Sequence, residues 1–131
     1  MMLNDKNELI ERIFSGFKVN NISVPVAFVV YEGTESTYIT YQITDSDSSY
    51  HGDDTLEGYV DYYDFDIYAH KSGTFGGNYK VIANAIKNLL DAYGFMYIPE
   101  RSSGDMFEPD TGYYHRTYCF AAMNQNDTEG V

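Results

Sequence analysis

The sequence predicts an α+β domain of about five strands in a mostly antiparallel or mixed sheet, with two helices packed on one face, in the order α-β-β-β-α-β-β. Three observations carry this. A Tyr-rich run from Tyr59 to His70 alternates at the period of a strand. Tyr79 to Tyr93 repeats its apolar residues at the period of a helix, and Tyr113 to Met123 alternates again.

In chain order, Asp5 and Glu8 have capping-box spacing, with Asp5 as N-cap. Ile10, Ile13, Phe14 and Phe17 then form one helical stripe, and Gly16 is the expected stop. Val24 to Tyr31 is a continuous apolar run in which Pro25 is best tolerated at the strand's beginning. Glu32-Gly33-Thr34 is turn-like, and Ser36 to Thr44 alternates, so these two runs are expected to pair as a hairpin. Residues 45–57 read as a long acidic loop. In the third strand, Tyr63, Phe65, Ile67 and Ala69 have the better claim to the core.

The second helix has two apolar rows. Val81, Ala85, Leu89 and Tyr93 form one, and Ile82, Ile86 and Leu90 the other. Asn78 is its expected N-cap and Gly94 its stop. Phe95 to Ile98 is a short strand closed by Pro99, and residues 100–112 read as a second polar loop with Met106 and Phe107 as apolar tips. The whole is expected to be one domain over residues 1–123, with 124–131 a disordered tail.

The chain has 20 acidic and 8 basic residues, a net charge of −12, which disfavours sequence-independent binding to nucleic acid phosphates. Its 14 Tyr and 8 Phe without Trp supply both strand-forming residues and amphipathic contact surface. Cys119 is the single cysteine, so neither an intrachain disulfide nor a cysteine-based zinc site is expected. The first residues lack the pattern of a signal peptide, and no apolar run reaches the roughly 18 residues of a membrane span. The expectation is a soluble protein from a reducing compartment, without a membrane association.

Residue spacing bears on several chemistries. Asp45, Asp47, Ser49, His51 and Asp53 fall at alternate positions of a calcium-loop register. Tyr50 stands where such a loop needs Gly, and Leu56 where it needs a bidentate acid, so a solvated or partner-facing loop is the better reading. His51, His70 and His115 lack metal-ligand spacing, although strands three and five could bring His70 near His115. Gly73-Thr74-Phe75-Gly76-Gly77 precedes a helix but lacks the Lys-Ser/Thr ending of a phosphate loop. Asp64 and Asp66 share a strand face without a recognisable partner set. No catalytic, metal or cofactor residues are assigned, and an enzyme is not expected.

The N-terminal amphipathic helix, the strand Tyr62 to Ala69, the helix bearing Ile82, Ile86, Leu89 and Leu90, and the phrase Glu108-Pro109-Asp110-Thr111-Gly112-Tyr113-Tyr114-His115-Arg116 together resemble a known family. Over residues 5–123 the chain resembles the tail-terminator, or tail-completion and head–tail joining, proteins of long-tailed bacteriophages and prophages. The resemblance implies a virion protein, made in the bacterial host cytoplasm and located at the tail–head junction. It implies a ring, commonly a hexamer, seated on the tail-tube protein, stopping tube growth and meeting the head-connector proteins, while DNA passes through without specific binding. Asp45, Asp47, Tyr50, His51, Asp53 and Asp54 of the first loop are the candidate assembly contacts, with Arg101, Asp105, Met106, Phe107 and Glu108 of the second. The main rival is a small acidic inhibitor that mimics DNA. A Tyr-rich glycan-binding module is a third reading, disfavoured by the lack of Trp.

Overall fold

Two strands of 16 residues, Thr37–Gly52 and Thr55–His70, form the centre of the molecule. The computed structural model describes residues 6–52 and 55–125. In chain order its elements are α1 (Asn7–Ile13), β1 (Lys18–Val19), β2 (Ile22–Ser23), β3 (Val26–Phe28), β4 (Thr37–Gly52) and β5 (Thr55–His70). These are followed by α2 (Lys80–Ala92), β6 (Met96–Tyr97), β7 (Met106–Glu108) and β8 (Tyr113–Gln125), with 3-10 turns at Gly76–Asn78 and Pro99–Arg101. The main sheet runs β3-β4-β5-β8-β6, with β7 also paired to β8. It is mixed, because β3 is parallel to β4 while the other pairings are antiparallel. The α+β class and the mixed sheet expected from sequence are both present.

Alternation in β5 divides its residues between two environments. Tyr63, Phe65, Ile67 and Ala69 are fully buried, while Tyr62, Asp64, Asp66, Tyr68 and His70 on the opposite face are half-buried. The buried set joins one core cluster with Ile10 of α1 and Phe14 at its end, Ile82, Ile86 and Leu90 of α2, Ile39 and Tyr41 of β4, and Phe120 of β8. Phe65 is central: its ring lies 5.8 Å from Phe14, 5.7 Å from Tyr41 and 5.5 Å from Phe120. At the start of α1, the Lys6 backbone N–H donates to the Tyr63 hydroxyl at 2.9 Å, tying that helix to the centre of β5.

The end of α2 follows directly from its sequence. Gly94 takes φ +89, which lets its N–H reach the Asp91 carbonyl at 3.1 Å and the Phe95 N–H reach Leu90 at 3.0 Å. This is the paired bonding of a Schellman cap, with the apolar contact supplied by buried Phe95 and Leu90. The row Ile82, Ile86, Leu90 is the deep one, and Tyr93 of the other row is exposed.

Six sequence expectations are corrected. Residues 45–52 and 55–57 are not a loop: β4 and β5 stay paired from Asp45↔Tyr62 to Gly52↔Thr55, with bulges at Ile43/Asp45, Asp47/Tyr50 and Tyr50/His51. Ser- and Asp-rich composition signals turns, but here the backbone ladder continues and the bulges absorb the register mismatch. The expected hairpin between the first two strands is a parallel pairing, Val26↔Ile39 to Phe28↔Tyr41. The Val24–Tyr31 strand shrinks to three residues because Val29 turns to φ +67, with its N–H on the Tyr41 carbonyl and the Val30 N–H on Phe28.

Asn78 does not cap α2; it ends a 3-10 turn that runs into the helix, and Tyr79 at the cap position has helical φ and ψ. Within 100–112, Met106–Glu108 form β7 on β8, closed by a turn in which Gly112 at φ +77 donates to the Glu108 carbonyl at 2.7 Å. Asn124 and Gln125, expected in the tail, pair with Tyr59 and Gly58. The Asp5 cap and residues 126–131 lie outside the described residues.

Candidate functional site

On the face of the sheet opposite the core, four rings form a ladder across three strands. Tyr31 stacks on Tyr38 at 4.5 Å, Tyr38 on Tyr68 at 5.0 Å, and Tyr68 on His115 at 4.3 Å. Tyr38, Tyr68 and His115 are directly opposite one another in the β4, β5 and β8 registers. Interplanar angles of 25°, 21° and 12° mean that each ring face is turned to its neighbour. The ladder therefore presents edges to solvent and is a cross-strand brace, not a platform on which a sugar or base could stack. Burial, with Asp66 next in influence, pushes the Tyr68 hydroxyl up to about 12, so it stays protonated.

Beside the ladder, Asp66 accepts from both His115 and Thr117. The His115 Nε2 to Asp66 Oδ1 separation is 3.2 Å, and the Thr117 hydroxyl donates to the same oxygen. A hydrolytic triad needs the imidazole between the hydroxyl and the carboxylate. Here the carboxylate stands in the middle, so the hydroxyl proton is directed at Asp66 and His115 is not delivered to a nucleophile. Asp64 lies opposite Cys119. Burial first, then the neighbouring Asp66, raises its carboxyl, while burial and Asp64 push the Cys119 thiol up to about 11. A buried thiol in that range is a poor nucleophile and a poor metal ligand at neutral pH.

Arg101 joins the two segments named from sequence as assembly contacts. Its guanidinium carbon lies 3.7 Å from the centre of the Tyr62 ring, and its Nη1 is 3.3 Å from Asp45 Oδ2. The segment that carries it is fastened along β8. The Ser103 N–H donates to the Thr117 carbonyl at 3.0 Å, and the Ser102 and Ser103 hydroxyls accept the Cys119 and Thr117 N–H groups at 2.9 Å and 3.0 Å. Asp47, Tyr50 and His51 lie on β4, paired with Val60, Gly58 and Leu56, and Asp53 and Asp54 lie outside the described residues. Met106, Phe107 and Glu108 are on β7, opposite His115, Tyr114 and Tyr113. His70 does not pair with His115; it faces Tyr113 across the ladder.

On the helix side, Asp105 bridges the cap of α2 and β8. It accepts from the Tyr79 hydroxyl, which holds its carboxyl below the usual range, and lies 3.0 Å from Arg116 Nη1. Next to this bridge a groove of about 270 Å³ opens between α2 and β8, lined by Lys80, Lys87 and Arg116 together with Tyr97, Tyr118 and Phe120. Three of the eight basic residues of the chain meet there. Lys87 Nζ sits 5.1 Å above the Tyr97 ring.

Sequence reasoning missed Tyr62, Tyr79 and Arg116, whose partners are 26 or more residues away or, for Arg116, across a hairpin. The β1–β2 hairpin did have a signal: Asn20 and Asn21, at φ 53 and 65, are the residue type a two-residue turn prefers. Among the described residues, no group of three or more His, Cys, Asp and Glu is placed to hold a metal ion. No described helix is long and apolar enough to cross a membrane. No protein-family model matches the chain, and no curated protein matches it.

Proposed function

We propose that this chain is a structural ring subunit at the head-proximal end of a phage tail tube, where it ends tube growth and joins tail to head. The observation that carries the reading is the length of the β4–β5 hairpin. Strands of 16 residues reach about 50 Å. The 13 residues of α2 and 7 of α1 cover about 30 Å even if laid end to end. The helix layer therefore does not require the outer part of the hairpin, which is available as an arm for another subunit. The wiring of Asp66, His115 and Thr117 supports a structural role, because it fixes strands to one another without presenting a nucleophile.

A ring of copies on a tube strengthens each weak contact by tethering, and an acidic lumen lets DNA slide without adhering. The experiment is binding to isolated tail tubes. Purified protein added to tubes lacking it should co-sediment with them and, when gold-labelled, mark one end only. Labelling along the whole tube, or no binding, would remove this reading.

The acidic-mimic reading gains one observation from the structure. Asp45 and Asp47 lie on a bulged strand in place of an irregular loop, and Asp64 and Asp66 share one face of the neighbouring strand, while Asp61 is buried on the other. It predicts capture of a basic nucleic-acid-binding protein from host extract and no attachment to tubes.

A further inference from the structure

The two edges of the sheet carry opposite features on the helix side. At the β3 edge, Phe28 is 53% exposed and stands beside Glu8 and Glu11 of α1, around a shallow depression that also includes Tyr41. Glu8 and Glu11 are three residues apart on a helix and so share a face. Val29 and Val30 continue the exposed apolar run. At the opposite edge lies the groove between α2 and β8, lined by aromatic side chains and by Lys80, Lys87 and Arg116. In a chain of net charge −12, a basic groove next to one edge is the exception, and it lies at the other end of the strand order from the acidic, aromatic edge of the same molecule.

We infer that the groove receives the β3 edge of a second copy of this chain, with Phe28 entering beside the aromatic side chains and with Glu8 and Glu11 against Lys80 and Lys87. The contact is heterologous, because the two patches are different surfaces at opposite ends of the sheet order. Such contacts propagate head to tail and close into a ring when the rotation per subunit permits. The apolar knob supplies burial, and the charges fix the register and reject the reversed arrangement. Arg116 is already held by Asp105, so Lys80 and Lys87 carry the electrostatic part. This deepens the ring reading and rests on it for the purpose of the contact.

The test is sedimentation velocity of the purified full chain from about 10 µM to about 1 mM at low ionic strength, where screening is weakest. The average mass should rise beyond that of a dimer. Glu11→Lys and Lys87→Glu, both at exposed positions, should each weaken association at least about tenfold, because each sets like charges against one another. An equimolar mixture of the two variants should recover it, since every contact between unlike copies is again Glu on Lys or Lys on Glu; misfolded variants would not recover. A wild-type chain that stays monomeric throughout, association that stops at a dimer, indifference to both substitutions, or a mixture that does not recover would each overturn the contact. Attachment of the protein to one tube end despite such a result would leave the ring reading standing and remove only these faces. Association as described without tube attachment would do the reverse.

Discussion

The Arg101 guanidinium lies 3.7 Å from the centre of the Tyr62 ring while its Nη1 reaches Asp45, so one side chain spans the segment after β6 and both strands of the long hairpin. Exposed cation–π contacts contribute about 0.5–1 kcal/mol, and an exposed ion pair adds little. Arg101→Ala should therefore lower stability by about 1 kcal/mol in urea unfolding. Arg101→Lys should restore less than half of that, because an ammonium cannot lie flat on the ring while also bonding Asp45. Equal stability of the three proteins would show that the stack is not maintained in solution.

Gly94 isolates the cost of a backbone conformation. It sits at φ +89, and a Cβ built there would meet no atom within 4 Å. The left-handed conformation costs a non-glycine residue about 1–2 kcal/mol, offset by about 0.4–1 kcal/mol from the stiffer unfolded chain. Gly94→Ala should destabilise by about 1 kcal/mol net. Gly94→Asn should cost less, because Asn visits this region more readily. Paired thermal melts of the two variants check the order.

Asp64 gives the protein a pH dependence of definite sign. Its folded pKa is raised above the ordinary 3.8, by burial and then by Asp66. The folded state thus favours the protonated form, and ionisation as pH rises through the folded pKa removes stability. Asp64→Asn should raise the urea midpoint at pH 7, and the gain should shrink to nothing as pH falls below the ordinary Asp value. A gain that persists unchanged at low pH would assign the effect to something other than the charge.

Val29 is a β-branched residue at φ +67 with 46% of its surface exposed. Such a position holds about 1–3 kcal/mol of strain. Replacement by Asn relieves much of it and forfeits about 1 kcal/mol of partial burial. Val29→Asn should leave stability unchanged or raise it by up to about 1 kcal/mol. At Val26, half-buried within β3, the same change should lower it by about 1–2 kcal/mol. Chemical denaturation of both variants separates strain from ordinary strand preference.

How much was legible in the sequence depended on the range of the interaction involved. Ile82, Ile86, Leu90 and Gly94 announce α2 and its end within one window, and the alternation from Tyr63 to Ala69 announces the buried face of β5. The direction of β3 was not legible, because Val26 to Phe28 carry no mark of whether their partner runs parallel. The arm was misread because Asp and Ser report local turn preference, while its pairing is set by β5 across the hairpin. Of the assembly residues named from the two polar segments, Arg101 and Asp45 are brought together and Asp105 joins Tyr79 and Arg116. Those partners come from the three-dimensional arrangement and have no local signature.

The tail-end role is tested most directly by electron microscopy of lysates from a phage or prophage in which this gene is deleted. The account predicts filled heads lying apart from tails, with many tails longer than normal, and joining restored when purified protein is added. Normal particles with tails of normal length would contradict it.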